Sequence, residues 1–115
     1  MIDKLLGLQN QLRMLHWGTN SYAEHKALGN AYEALDGLID SFMETWMGIN
    51  GKKLGSVRLS LNQYTPDAPE TLLNQAVVFF TRDMDEMVAG NTDLANIRDE
   101  MLAIVNKTKY LLTLK

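Results

Sequence analysis

The sequence predicts an all-α protein: a four-helix bundle in which two antiparallel hairpins are joined by one long crossover. Three observations predict it. Apolar residues recur at steps of three and four through most of the chain. The two prolines, Pro66 and Pro69, fall in one stretch, so long helices are permitted on either side of it. The connections run short, long, short, which suits two hairpins and a crossover; an up-down-up-down bundle would not need the long one. At 115 residues the chain is read as one domain, residues 1–115.

The first helix is expected over about residues 2–17, where Ile2, Leu5, Leu8, Leu12 and Leu15 share a face. Gly18, Thr19 and Asn20 end it. Ser21 then opens a second helix over about residues 22–47. Ser21-x-x-Glu24 has capping-box spacing, in which each side chain satisfies the other's free backbone N–H. The stripe of this helix is His25, Leu28, Tyr32, Leu35, Ile39, Phe42 and Trp46, and Gly48 is its expected C-cap. Residues 49–69 carry Gly51, Gly55 and both prolines, and Val57, Leu59 and Leu61 alternate with polar residues. Some twenty residues extended reach about 60 Å, enough to run the length of a bundle. Asp67-x-x-Glu70, with Pro69 in the first turn, opens a third helix over about residues 69–89. Its stripe is Leu73, Ala76, Phe80, Met84 and Met87, and Gly90 closes it. Asn91 or Thr92 caps a fourth helix over about residues 92–114, with Leu94, Ile97, Met101, Ile104, Thr108 and Leu111 inward.

Composition removes several function classes. A net charge of −3 with mixed signs gives no general pull toward nucleic acid or an anionic membrane. The absence of cysteine excludes disulfides, thiolate metal sites and cysteine nucleophiles. No apolar run approaches the roughly 20 residues that span a bilayer, and the N-terminus lacks a signal-peptide pattern, so a cytoplasmic protein is expected. There is no phosphate-cradling glycine loop, no nucleophile elbow and no His-x-x-x-His pair. The seven methionines sit largely at core spacing and read as adaptable packing.

What remains is the stretch from Leu15 to Gly48. It holds both histidines, His16 and His25, and the acids Glu33, Asp36, Asp40 and Glu44. On an ideal helix Asp36 lies about 20° round from His25 and Asp40 about 60°. Imidazole nitrogen with carboxylate oxygen suits iron, manganese or zinc. The bland reading stands beside this one: helix acids usually form a solvated face, and a histidine on an apolar stripe is usually packed. A carboxylate on the buried side would be costly alone, so Asp40 is expected to meet a partner. An intra-bundle di-iron centre needs Glu-x-x-His on two helices. That pattern is absent, and the third and fourth helices carry no histidine. Their acids, including Asp83, Glu86 and Asp99, read as a solvated face.

The run His16-Trp17, then His25, then Asp40-x-x-x-Glu44 before Gly48 resembles the Dps-like mini-ferritins of the ferritin-like superfamily, some short members of which are phage-encoded. The resemblance implies a ferritin-like bundle and a homo-oligomer, at least a two-fold dimer and up to a cage. It implies an iron site between subunits, with His16 and His25 from one copy and Asp40 and Glu44 from its mate, and ferroxidase activity on ferrous iron. The family's aspartate one turn after the second histidine falls at Gly29 here, for which Glu33 or Asp36 would have to substitute. No lysine-rich tail is present, so no nucleic-acid binding is expected. The other reading is a helical oligomerisation or virion and host-interaction module that keeps the fold without metal chemistry.

Overall fold

A computed structural model describes residues 1–114. Its elements are α1 (Ile2–Gly18), α2 (Tyr22–Asn50), α3 (Ala68–Val78), a π-helical turn (Phe79–Asp83), α4 (Asp85–Val88) and α5 (Thr92–Leu112). Only Met84 separates the π turn from α4, so α3 to α4 form one rod and the described residues make four helical rods. No strand occurs among the described residues.

The rods pack in a ring, with α1 against α2 and α3, and α5 against α2 and α3. Lys4 Nζ lies 3.5 Å from Asp83, which sets the start of α1 beside the end of the third rod. The crossover, residues 51–67, climbs along α1. Gln11 and Asn62 exchange two hydrogen bonds of 2.8 Å, side-chain amide to backbone. Tyr64 then sits against Gly18, where an added Cβ would come within 2.5 Å of the tyrosine Cβ. The long connection is therefore a strap tied to α1.

Burial follows the 3/4 spacing. Leu5, Leu12 and Leu15 from α1 meet Leu28, Leu35 and Phe42 from α2, with Leu73, Phe80, Leu94 and Met101 from the other hairpin, all essentially inaccessible. Fully burying such side chains contributes about 1.5–3 kcal/mol each. No helix among the described residues is long and apolar enough to cross a membrane.

Several details differ from expectation, each for a physical reason. Gly48 does not cap α2; the helix runs to Asn50, and Gly51 takes the left-handed position (φ 64°) with its N–H on Met47 O. In the third rod Val88, not Met87, is buried. From Ala76 the buried positions run Phe80, Met84, Val88, in steps of four. On a 3.6-residue helix each such step drifts by about 40°, and the wider π turn absorbs the drift. The carbonyl of Phe80 in that turn accepts from Arg98 Nη1 at 3.2 Å. Burial opposes the Arg98 charge, but hydrogen bonds to Asp99 and Asp85 prevail and hold its pKa above the ordinary arginine value. Finally, the first left-handed residue after α4 is Ala89 (φ 48°), ahead of Gly90 (φ 78°). The fourth rod ends at Leu112, and Lys115 lies outside the described residues.

Candidate functional site

The turn between α1 and α2 is held by a buried carboxylate. Glu24 is 1 % exposed. Its Oε1 accepts from the Thr19 hydroxyl at 2.8 Å and from the Tyr64 phenol at 2.6 Å. Ser21 Oγ accepts from Glu24 N–H, as a capping box requires. The reciprocal half is relayed, since Ser21 N–H donates to the Thr19 hydroxyl, which itself donates to Glu24. Turn, helix start and strap are thereby tied together.

This turn brings the two histidines face to face. Their rings stack with centroids 3.8 Å apart and planes 17° from parallel. His16 Nδ1 bonds to His25 O at 2.6 Å, and His25 Nδ1 bonds to His16 O at 2.7 Å. A carbonyl only accepts, so each Nδ1 carries the proton and donates. Among the described residues no buried side-chain nitrogen lacks a partner, so each remaining Nε2 reaches solvent. The pair is a reciprocal staple between α1 and α2.

Gly29 makes the staple possible. A Cβ there would lie 2.7 Å from His16 Cε1 and 2.9 Å from Nδ1. The space that a side chain at position 29 would need is thus taken by the His16 ring.

Around the staple lies an open groove of about 470 Å³, bounded by Arg13, Trp17, Tyr22, Lys26 and Tyr32. The Arg13 guanidinium sits 4.2 Å from the Tyr32 ring centroid and 5.7 Å from that of Trp17. Trp17 and Tyr22 are 67 % and 75 % exposed. Glu33 is the one acid on the groove's edge among the described residues, against Arg13 and Lys26. A second, more apolar groove of about 490 Å³ opens between α1 and α3, beside the Lys4–Asp83 pair.

The acids of α2 lie elsewhere. Asp40 and Glu44 are exposed on the outer face of α2, roughly opposite Leu35 and Phe42. The expectation that Asp40 is buried and needs a partner for that reason is corrected by its exposure. Asp36 is exposed too and accepts from Gln9 Nε2 of α1. His25 and Asp40 are separated by about 22 Å along α2, taking 1.5 Å per residue. One copy of the chain therefore brings His16 and His25 together and leaves Asp36, Asp40 and Glu44 apart from them. No group of three or more histidines and acids that could hold a metal occurs among the described residues.

The result is a polarised outer face. Its N-terminal half carries Lys26 beside Arg13 and the histidines, with Glu33 at the groove's edge; its C-terminal half carries Asp40 and Glu44. None of Lys26, Glu33, Asp40 or Glu44 has an ion-pair partner among the described residues.

The sequence reading missed the Glu24–Tyr64 tie and the functional sense of Gly29. An isolated glycine inside a strong helical pattern was the available signal for a close approach. Residues 16–112 match the model of a family described as a family of unknown function, DUF5856. The chain is 28 % identical over 123 residues to the uncharacterized 14.6 kDa protein in the mobD-ri intergenic region of Enterobacteria phage T4, covering 98 % of this chain and 88 % of that protein. No solved structure matches. The matched region begins at the staple histidine His16, in the last turn of α1, and runs through the other three rods, and the chain belongs to the DUF5856 family.

Proposed function

We propose that this chain is a helical association module that docks against a second copy through the outer face of α2, on a bundle of ferritin-like connectivity. The observation that carries the reading is the separation of charge on that face. Cations and exposed aromatics gather at one end and unpaired acids at the other, so a two-fold axis across α2 sets unlike ends together. Trp, Tyr and Arg are also the residue types that dominate binding energy at interfaces. A relative in a bacteriophage supports placing the module in phage biology, at the virion or against the host. Sedimentation velocity over a hundredfold range of concentration tests the reading. A dimer that weakens as salt rises is expected; a monomer throughout refutes it.

A second reading is favoured by the staple. Histidines that bind metal almost always donate their other ring N–H to a carbonyl or carboxylate. Both histidines here do so, which leaves Nε2 available to an incoming ion. In the Dps-like arrangement Asp40 and Glu44 of a second copy would complete the set, with ferrous iron as substrate and manganese or zinc as substitutes. Asp36 is further from this role, since it is engaged by Gln9. The chemistry would be ferrous iron held by neutral imidazole and carboxylate, each ion giving up one electron there to dioxygen or peroxide as the oxidant. Calorimetric titration with manganous ion on wild type and Asp40→Ala tests it. Binding in the wild type and its loss in the variant are expected; equal heats in both refute it.

A further inference from the structure

The outer face of α2 has a symmetry that its charge separation alone does not require. Residues 22, 26, 30, 33, 37, 40, 44 and 48 are all exposed and fall within an arc of about 80° on an ideal helix. They span about 39 Å at 1.5 Å per residue, against a longest molecular dimension of 43 Å. Their spacing is palindromic about residue 35: 22 mirrors 48, 26 mirrors 44, 30 mirrors 40 and 33 mirrors 37.

We infer that two copies pair antiparallel along this ridge in one register, with residue i facing residue 70 − i of its mate. The inference rests on the association reading above and adds the register to it. Each facing pair is then complementary. Lys26 meets Glu44, giving two opposed ion pairs per dimer for groups that have none within one chain. Asn30 meets Asp40, an amide donor against a carboxylate acceptor. Glu33 meets Gly37, which has nothing within 4 Å of where a Cβ would stand. Tyr22, 75 % exposed, meets Gly48, whose Cβ position is likewise open. Glycine inside a helix is destabilising relative to alanine by roughly 0.5–1 kcal/mol, and here each lies opposite a large side chain of the mate. Asp40 and Glu44 are like charges one turn apart, and the mate's Lys26 and Asn30 lie over them.

Neighbouring registers lose this match. Shifting by one helical turn, so that i faces 66 − i, sets Glu33 against Glu33 across the axis. The register in which His25 faces Asp40, as a shared metal site needs, is 65 − i. The two arrangements are therefore alternatives, and the register separates them.

Cysteine cross-linking reads the register directly, because the chain has no thiol of its own. Asn30→Cys with Asp40→Cys in one chain, oxidised under mild conditions, is expected to give a covalent dimer with both bridges formed by mass. Lys26→Cys with Asp40→Cys, one turn out of register, is expected to stay largely uncross-linked, since a disulfide needs Cα atoms about 4.4–6.8 Å apart. In parallel, Lys26→Glu and Glu44→Lys should each raise the dimer dissociation constant about tenfold, and the double reversal should return it to within about threefold. A wild-type dimer whose 30/40 pair fails to cross-link, or whose double reversal is no better than the single ones, overturns this register and leaves the association reading standing. A wild-type monomer at all concentrations overturns both.

Discussion

Replacing Gly29 with alanine tests the histidine staple. In an open helix interior, Gly→Ala stabilises by about 1 kcal/mol. At Gly29 the added methyl would stand 2.7 Å from His16 Cε1, so the ring must move. If the ring swings away, the bond from His16 Nδ1 to His25 O at 2.6 Å is lost, and with it the 3.8 Å stack. The return bond from His25 Nδ1 to His16 O, 2.7 Å, weakens as its ring loses support. Two hydrogen bonds at about 1 kcal/mol each and a stacked ring pair at about 0.5–1 kcal/mol outweigh the gain in helix propensity. The net expectation is a loss of about 1–2 kcal/mol. Gly7→Ala is the control, because its Cβ would meet only Leu59 Cδ2 at 4.0 Å, and a gain approaching 1 kcal/mol is expected. Urea unfolding followed by circular dichroism, at concentrations where the assembly state is the same for all variants, measures both. If Gly29→Ala gains as much as Gly7→Ala, the staple contributes nothing and the reasoning fails.

Other substitutions bear on the scaffold. Ala89→Gly relieves a left-handed backbone at φ 48° and should stabilise by about 1 kcal/mol, a rise of about 3–6 °C in Tm by calorimetry. Tyr64→Phe removes a 2.6 Å donor from the buried Glu24 carboxylate and should cost about 1.5–2 kcal/mol in urea unfolding. It should also speed hydrogen exchange at the crossover amides, notably Asn62, whose N–H is held by Gln11. Arg98→Met keeps the aliphatic stem but strips the Phe80 carbonyl of its side-chain donor, with an expected loss of about 1–2 kcal/mol; an unchanged midpoint would show that the π turn does not depend on it.

The helices were legible because local spacing and local caps specify them: Leu5–Leu8–Leu12–Leu15 and Ser21-x-x-Glu24 need only their own neighbourhood. What was not legible depends on a distant part of the chain. Met87 fits the sequence stripe, yet Val88 is buried, because the π turn inserts a residue and Arg98, eighteen residues past Phe80, holds the carbonyl there. Gly48 is the expected cap in one dimension, but it is Gly51 that takes the left-handed backbone. At the candidate site, both histidines were identified as the centre of interest, and the hairpin sets them together. That each would hold the other's carbonyl follows from the closeness of α1 and α2, which Gly29 permits and no periodicity reports. Asp40 lies about 60° round α2 from His25, and on a helix that difference is enough to pass from the packed side to open solvent.

The staple also bears on the order in which the chain assembles. It joins residues only nine apart, so closing it restricts little of the unfolded chain. Loops of about ten residues close in roughly 10–100 ns, far faster than the long crossover can find its course along α1. The α1–α2 hairpin can therefore zip outward from His16 and His25 as a local event. Its paired helices then offer Gln11 and Glu24 as a ready track on which Asn62 and Tyr64 settle. On this view the nucleus lies at the turn, and slowed folding, rather than hastened unfolding, is the kinetic mark of damage there.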